Sequence, residues 1–312
     1  MMAAVGGNII VQFTYTGAIG EVIPDEATHI IIPEDCTFVR AEAFRWHQNI
    51  IEVICHEGVE KIERYAFSEC PNLRRVIMPG VKIIERGAFD NCTALEDVEC
   101  GMLERIEAVA FRCCESLTSI NLPSVRIVVH YAFNGCVELK DVKFGSSLER
   151  FEGGAFNDCY SLERITIPLK DGIIPWDNIF QGCEQLKHVE LVEGAELHEI
   201  VAALNLEEWR NDMNDEINSI NQILLDTYAG ICVHYNPGDE GGKARVMRTW
   251  IRTILGKIIH YQAEHQNVLD GAATTLQHNL PQDIVTNNIL PFLELPSHII
   301  LEGGGEEDTG RA

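Results

Sequence analysis

Hydrophobic positions over the first two thirds of the chain recur in a register of 22 to 24 residues. Each copy carries a phenylalanine ring, a histidine or cysteine three residues later and an aliphatic residue six residues later. The rings are Phe44, Phe67, Phe89, Phe111, Phe133, Phe156 and Phe180. The third position after the ring is His47 in the first copy and then Cys70, Cys92, Cys114, Cys136, Cys159 and Cys183. Seven copies in one register identify a repeat array.

Each copy also contains two apolar segments that predict two short strands. Segments such as LRRVIMP and LERITIP have apolar residues at the first, fourth and sixth places, as in a strand with one buried face. We predict a unit made of strand, turn, shorter strand and a one-turn helical segment that carries the Ala-Phe pair. Because no unit can bury its apolar face alone, the units are expected to stack. The second apolar position lies five residues before each ring, at Ile62, Ile84, Ile106, Val128 and Phe151.

The segments on either side of the array follow other patterns. Residues 11–33 hold β-rich runs broken by Gly17, Gly20 and Pro24, which predicts a hairpin-like cap over the first coil. After about residue 193 the apolar period changes to 3.6, which predicts an antiparallel helical hairpin, a loop over residues 233–242 and a third helical region over about residues 272–293. The stripes are Leu197, Ile200, Leu204, Met213, Ile217, Ile220 and Leu224, then Met247, Trp250, Ile254, Ile258 and Tyr261.

The repeat resembles the BspA-type leucine-rich repeat, whose consensus has an Ala-Phe pair, a cysteine three residues on and an L-x-x-I-x-I/L strand. The resemblance covers about residues 38–192, and the whole chain is similar to BspA-type proteins of single-celled eukaryotes that carry a helical C-terminal part. It implies a solenoid with a parallel sheet on its concave face, a surface usually used for protein contact. The departures, His47 in the first unit and Pro175, Trp176 and Ile179 in the last, lie in terminal units, which are commonly atypical.

The predicted fold class is therefore an α/β repeat: a leucine-rich repeat solenoid of about seven 22–24-residue units with a parallel sheet, an N-terminal β cap and an α-helical C-terminal module. We divide the chain into the β cap (1–37), the solenoid (38–195), the helical module (196–301) and an acidic, glycine-rich tail (302–312) expected to be disordered.

Net charge and the absence of targeting signals in the sequence restrict the predicted binding partners and the predicted cellular location. A formal net charge of −24 excludes a general nucleic-acid binder and disfavours anionic membranes, because both present negative phosphates. The N-terminal residues lack the basic start of a signal peptide, and no window approaches the roughly 18 apolar residues of a membrane span. The eleven cysteines are an odd number, and most occupy one repeat position. We therefore expect reduced thiols and a cytoplasmic or nuclear location.

The cysteines are the first candidates for chemistry. A stacked column of thiols has the elements for a soft-metal site or for disulfides, but zinc sites need clustered pairs such as C-x₂-C, which are absent. Buried cysteine as a small apolar residue is the favoured interpretation. In the CC pair only Cys114 is in register, so Cys113 should point outwards. No HExxH, GxSxG or phosphate-loop motif occurs in the sequence. We therefore predict that the protein is not an enzyme and that it has no catalytic residue, metal site or cofactor.

The outward side of the predicted sheet is the candidate binding site. Residues on either side of the central apolar position of each strand point away from the core, and they vary in charge from unit to unit. One interpretation is an ordinary solvated face; the other is a partner surface with Ile54 and Ile77 as apolar anchor, flanked by Arg75 and Asp97. The first column is Glu52, Arg75, Asp97, Ser119, Asp141, Arg164 and His188, and the second is Ile54, Ile77, Glu99, Asn121, Lys143, Thr166 and Glu190.

The helical part leaves two alternatives open. Arg245, Arg248 and Arg252 share a helix face, which is typical of a basic partner helix; ion pairing across the hairpin is the favoured alternative. The predicted partners in that alternative are Glu207, Glu208, Asp212 and Asp215.

Residues 280–296 faintly resemble the opening of an F-box, a helical adaptor motif.

The predicted function is a non-catalytic interaction scaffold for a protein partner of unknown identity. The alternative is an adaptor that recruits a signalling or ubiquitin-ligase-type complex through its C-terminal helices.

Overall fold

The computed structural model describes residues 2–5, 8–192, 207–226 and 242–277. They form short strands throughout the repeat array, followed by two helices, α1 (Glu207–Asp226) and α2 (Gly242–Gln277). The strands are β1 (Met2–Val5), β2 (Asn8–Thr14), β3 (His29–Ile32), β4 (Phe38–Val39), β5 (Glu52–Cys55), β6 (Lys61–Ile62), β7 (Arg75–Ile77), β8 (Ile83–Ile84), β9 (Asp97–Glu99), β10 (Arg105–Ile106), β11 (Ser119–Leu122), β12 (Ile127–Val128), β13 (Asp141–Phe144), β14 (Arg150–Phe151), β15 (Arg164–Ile167) and β16 (His188–Leu191).

The strands stack as parallel ladders with one coil per rung, which confirms the predicted solenoid. The longer strands of successive coils pair in the orders β1-β2-β3-β5-β7-β9 and β11-β13-β15-β16. The two-residue strands form a second side in the order β4-β6-β8-β10-β12-β14. The register places equivalent residues of neighbouring units opposite each other, for example Val53 opposite Val76 and Val76 opposite Val98. Residues that share a position in the repeat alignment therefore lie next to one another on paired strands of the structure.

The N-terminal cap differs from the prediction. The hairpin is earlier than expected: β1 pairs antiparallel with β2. Residues 11–33 instead contribute two parallel neighbours, because β2 pairs with β3 in parallel and β3 is already in register with β5. The prediction of a hairpin over residues 11–33 is wrong because the segment THIIIP follows the same apolar rule as the later strands and joins their ladder. The domain boundaries remain a prediction.

The segment with the Ala-Phe pair is not a helical turn. Alternate backbone N–H groups bond to the neighbouring coil, as when Phe67 N–H donates to Ala88 O at 2.8 Å, and those between them bond to the carbonyl three residues earlier, as Ser68 N–H does to Tyr65 O at 3.2 Å. Residues two before and two after the ring have positive φ, for example Tyr65 at 55° and Glu69 at 61°. Left-handed residues interrupt a helix, so the segment folds as consecutive turns. Neighbouring coils are thus hydrogen-bonded through these turns and through most of their strands, although β9 and β11 are not paired.

The core consists of aligned columns of buried side chains. The seven phenylalanine rings stack with centroid separations from 4.8 to 5.7 Å and interplanar angles from 1° to 11°. Tyr15 packs against Phe44 at 5.2 Å and extends this stack into the cap. The predicted Ala, Leu and second-strand apolar positions are buried beside it. Packing between coils therefore accounts for the repeat consensus.

The described residues fall into two compact units, one of residues 2–5, 8–192, 218–226 and 242–253 and one of residues 207–217 and 254–277. In the first unit, the beginning of α2 lies against the last coil, where Met247 and Trp250 are buried. Asn221 of α1 accepts a hydrogen bond from Val189 N–H of β16 at 3.1 Å, so α1 covers part of that edge strand. In the second unit, α1 and α2 run antiparallel, with Trp209 stacked on Tyr261 at 5.1 Å. The predicted apolar stripes at Met213, Ile220 and Leu224 and along α2 are buried.

Candidate protein-interaction surface

The outward side of the longer strands, here called the strand face, carries the two predicted columns. Side chains of the first and third positions of each strand point outwards, and those of the second and fourth are buried. The ladder register places Glu52 beside Arg75 and Arg75 beside Asp97. It places Ser119 beside Asp141, and Asp141 beside Arg164, in a second block. β9 and β11 are not strand-paired, so the columns form two blocks instead of one uninterrupted strip.

Arg75 is the centre of the first block. Its guanidinium lies 3.6 Å from Glu52, 3.0 Å from Asp97 and 2.5 Å from Glu99, so it contacts three neighbouring strands. Glu52 is also 3.8 Å from the ring of His29. The hydrogen bond to Glu99 and the nearby carboxylates raise the pKa of Arg75. Three carboxylates around one guanidinium leave this block with an acidic excess.

Arg164 has the equivalent place in the second block. It lies 3.6 Å from Asp141 and 3.3 Å from Glu190, on the strands to either side. Most charges of the strand face are therefore paired with one another, and exposed pairs of this kind contribute about 0–1 kcal/mol. The second-column residues between the two arginines, Asn121 and Lys143, are exposed.

Aliphatic side chains occupy the second column of the first block. Ile31, Ile54 and Ile77 stand directly opposite one another on β3, β5 and β7, and all three are partly exposed. We call this set the isoleucine ladder. Ile54 and Ile77 were predicted as an apolar anchor, whereas Ile31 was missed because its strand was assigned to the cap. The sequence signal for Ile31 is the segment HIIIP, which has the same I-x-I-P pattern as the later strand segment ITIP.

The repeat model of the BspA type leucine rich repeat region matches residues 25–125 and 104–204, in six copies. These matches cover more than half of the chain and coincide with the stacked coils. The chain belongs to the BspA-type leucine-rich repeat family. A comparison with curated proteins found no match.

This BspA-type chain is also similar to solved leucine-rich repeat proteins of bacteria. The T. pallidum leucine-rich repeat protein is 30% identical over 45% of this chain and 69% of its own, with a TM-score of 0.41. A Bacteroides ovatus protein is 20% identical, covering 55% of this chain and 53% of its own (TM-score 0.41). A Eubacterium ventriosum protein is 19% identical, covering 52% and 54% (TM-score 0.40). The chain thus spans only about half the length of the last two.

The cysteine column of this BspA-type solenoid has a structural role in the six coils that follow the first. Each thiol donates to the carbonyl of the ring residue one coil earlier, as Cys70 does to Phe44 O at 3.0 Å. His47 takes the equivalent place in the first coil, with Nε2 3.0 Å from Pro24 O. Burial raises the pKa of Cys70 to about 12. The other thiol–carbonyl pairs are Cys92–Phe67, Cys114–Phe89, Cys136–Phe111, Cys159–Phe133 and Cys183–Phe156.

The described cysteines are unpaired and mostly buried. All ten cysteines in the described part of the chain are free thiols. Cys113 is partly exposed while Cys114 is buried, which confirms the predicted outward direction of Cys113. Burial raises the pKa of Cys113 as well, although Arg112 beside it acts in the opposite direction. Within the described ranges, no group of three or more His, Cys, Asp or Glu side chains is arranged to hold a metal ion.

The arginines of α2 have different partners from those predicted. Arg248 donates to Ile174 O at 2.6 Å and to Asp177 at 2.7 Å, and Arg252 donates to Asp171 at 3.0 Å. These acceptors belong to the last coil, so the prediction of ion pairs across the hairpin is wrong for these two arginines. The hairpin acid Asp212 is paired instead with Lys257, at 2.9 Å. The last coil offers both carbonyls and carboxylates, a combination that the linear spacing does not reveal.

Several predictions fall outside the described residues. The F-box-like segment at 280–296, the tail at 302–312 and the first part of the helical stripe lie there, as does the predicted loop apart from Gly242. The third helical region begins within α2, which continues to Gln277. None of the described helices is long and apolar enough to cross a membrane.

Proposed function

We propose that this BspA-type protein is a non-catalytic scaffold that binds a protein partner through its strand face. The observation that supports this function is the isoleucine ladder: aliphatic side chains lie side by side on a surface whose other positions are charged or polar. An apolar patch with a polar rim is typical of protein interfaces. Leucine-rich repeat proteins are in general interaction scaffolds, and a solenoid presents such a patch on a rigid, extended surface.

The distribution of charge indicates which residues supply affinity. Arg75 and Arg164 are already paired with carboxylates of the neighbouring strands, so their charges mainly select partners and set orientation. The ladder side chains have no such internal partner for their exposed surface. We therefore place the energetic centre of the surface at Ile54, between Ile31 and Ile77.

Differential capture tests this function. The full chain, the Ile54→Asp variant and the matched control Thr166→Asp are immobilised, and captured proteins from the source cell are quantified by mass spectrometry. Thr166 is a fair control because it is partly exposed in the same column, five rungs from Ile54. We expect at least one protein to be retained by the wild type and by Thr166→Asp and to fall by about tenfold or more with Ile54→Asp.

The conservative variant Ile54→Val should retain the same protein. Circular dichroism and the urea midpoint of each variant establish that the solenoid is intact. Equal recovery of every protein on all four chains would contradict a strand-face interface.

A further inference from the structure

We propose that the strand face receives an amphipathic α-helix that carries apolar side chains at positions i and i+3 or i+4 and a lysine or arginine at i+7. This inference rests on the proposed function and adds to it the class of partner. It follows from three properties of the isoleucine ladder and its rim: saturated backbone hydrogen bonds, the spacing of the rungs and the sign of the charge at one end.

Backbone hydrogen bonding favours a helix over an extended segment. The N–H and C=O groups of β3, β5 and β7 bond to one another along the ladder, so the face offers side chains and no free backbone groups. An extended segment laid on this face would desolvate its own backbone groups without partners, at a cost of about 1–3 kcal/mol for each buried group. A helix satisfies these groups internally.

The shape of the face sets the direction of the helix. Its strands are only three or four residues long, whereas the stack continues over many coils. A helix therefore gains the most contact by lying along the stack, across the strands. Adjacent rungs are about 4.8 Å apart. Residues three or four apart on a helix advance about 4.5–6 Å.

Two apolar side chains of such a helix fit the two intervals between Ile31 and Ile54 and between Ile54 and Ile77. The next interval along the column lies between Ile77 and Glu99, about two rungs beyond the first. A residue at i+7, which advances about 10.5 Å, reaches this interval.

The negative charge around the interval between Ile77 and Glu99 favours a positively charged side chain of the helix. Glu99 and Asp97 are exposed here, and together with Glu52 they outnumber Arg75, which contacts all three. A lysine or arginine at i+7 would be attracted by this excess, whereas a glutamate would be repelled. The formal net charge of −24 acts in the same direction over longer distances.

Fluorescence anisotropy with synthetic helices tests the proposal on the full chain. One helix-stabilised peptide carries leucine at i, i+3 and i+4 and lysine at i+7 on an alanine and glutamine background; a second has glutamate at i+7. Both are also made in reversed order, since a helix can lie in either direction. We expect the wild type to bind a lysine peptide about tenfold more tightly than its glutamate counterpart. Ile54→Asp should weaken the binding of the lysine peptide by about tenfold or more.

Charge reversal separates this site from general attraction to an acidic protein. Glu99→Lys should reverse the preference, so that the glutamate peptide binds more tightly. Glu190→Lys is the matched control: it makes the same charge change in the same column, and Glu190 is likewise paired with an arginine, Arg164 at 3.3 Å. It should leave the preference for lysine in place.

Two results would overturn the inference: neither order of the lysine peptide binds the wild type, or Glu99→Lys and Glu190→Lys change the preference equally. If the capture experiment identifies a partner that depends on Ile54 but the peptides do not bind, only the helical partner class fails. If no captured protein depends on Ile54, the proposed function fails.

Discussion

The thiol of each repeat cysteine is best understood as a hydrogen-bond donor in a dry interior. Its position three residues after the ring could be predicted as buried, because a residue that recurs in register with an aromatic core residue packs with it. The acceptor could not be predicted, because the carbonyl belongs to the preceding coil and its distance depends on how coils stack. His47 shows that the requirement is for a donor at this place, since its Nε2 atom meets the carbonyl of Pro24.

Ionisation of buried thiols should make the protein less stable in alkaline solution. Burial raises the pKa of Cys55, Cys70 and Cys100 to about 12, whereas the pKa of a thiol in the unfolded chain is about 8.5. Between these values the unfolded chain loses protons that the folded chain keeps, so the free energy of unfolding falls as pH rises. From pH 8.5 to pH 9.5 the loss should be about 1 kcal/mol for each thiol. Urea unfolding under a reducing agent measures it.

Cys100→Ala should reduce that pH-dependent loss by about 1 kcal/mol relative to the wild type. Cys113→Ala, which removes a partly exposed thiol, should reduce it less. Identical pH dependence in Cys100→Ala and wild type would show that Cys100 does not stay protonated in the fold.

Glycine at position 87 avoids two costs, a backbone strain that other coils bear at the same place, as at Tyr65, and a contact with a ring. Its φ is +62°, and an added Cβ would lie 2.4 Å from the ring of Tyr65 in the preceding coil. Gly87→Ala should therefore lower the free energy of unfolding by about 1–3 kcal/mol, of which about 1–2 kcal/mol is backbone strain. Urea denaturation measures the loss. Gly101→Ala, where nothing lies within 4 Å and φ is not left-handed, should change it by less than about 0.5 kcal/mol.

A Tyr65→Ala background tests the second of these costs. Removing the ring should leave only the backbone part of the Gly87→Ala effect. An unchanged loss in that background would show that the contact with the ring adds nothing.

At the scale of elements, the strands could be predicted well and the two ends of the array less well. Short strands with one buried face follow directly from the L-x-x-I-x-L alternation, and β5, β11 and β15 confirm it. The two ends of the array could be predicted less well because the segments that pack against the first and last coils do not follow the repeat pattern. β3 follows the strand rule without a preceding ring, and the arginines of α2 find acceptors on a coil about 75 residues earlier. Periodicity carries no information on such contacts.

Docking of α2 on the last coil should depend on Lys243. Its side chain is 4% exposed, and Nζ donates to Glu184 O at 2.9 Å and to Leu186 O. Burial lowers the pKa of this ammonium, so the carbonyl bonds only partly offset its lost hydration. Lys243→Met keeps the apolar stem but leaves the carbonyls without this donor. We expect a loss of about 1.5–3 kcal/mol in the free energy of unfolding, measured by urea denaturation.

Lys257→Met is the matched control within the second unit. Lys257 pairs with Asp212 and Glu216 through a partly exposed ammonium, so its loss should cost less than about 1 kcal/mol. Equal losses for the two variants would contradict a docking role for Lys243.

At the scale of the whole molecule, the solenoid should tolerate removal of a complete unit. The Ala-Phe turns make the same backbone bonds from coil to coil, as shown by Phe89 N–H to Ala110 O and Phe111 N–H to Ala132 O, both at 2.8 Å. Deleting residues 112–133, which are 22 residues long, joins Phe111 to Asn134 and keeps every column in register. The shortened chain should fold cooperatively, with lower stability because one coil and its interface are lost. Circular dichroism and urea denaturation test this.

A deletion of half that length, residues 112–122, is the control. It brings strand residues opposite turn residues, so the stack cannot form across the junction. If both deletions fold equally well, the register of the repeat does not determine the fold.

Hydrogen bonding of the turns between coils has a mechanical consequence. Because neighbouring coils are joined along the Ala-Phe turns and, except between β9 and β11, along the longer strands as well as the two-residue strands, tension applied along the stack loads up to three rows of bonds together. Tension applied to one chain end opens them one at a time, from the outermost coil inwards. Each released coil of 22 residues lengthens the chain by up to about 75 Å. We therefore expect the solenoid to resist stretching along its stack and to yield in steps when a terminus is peeled away.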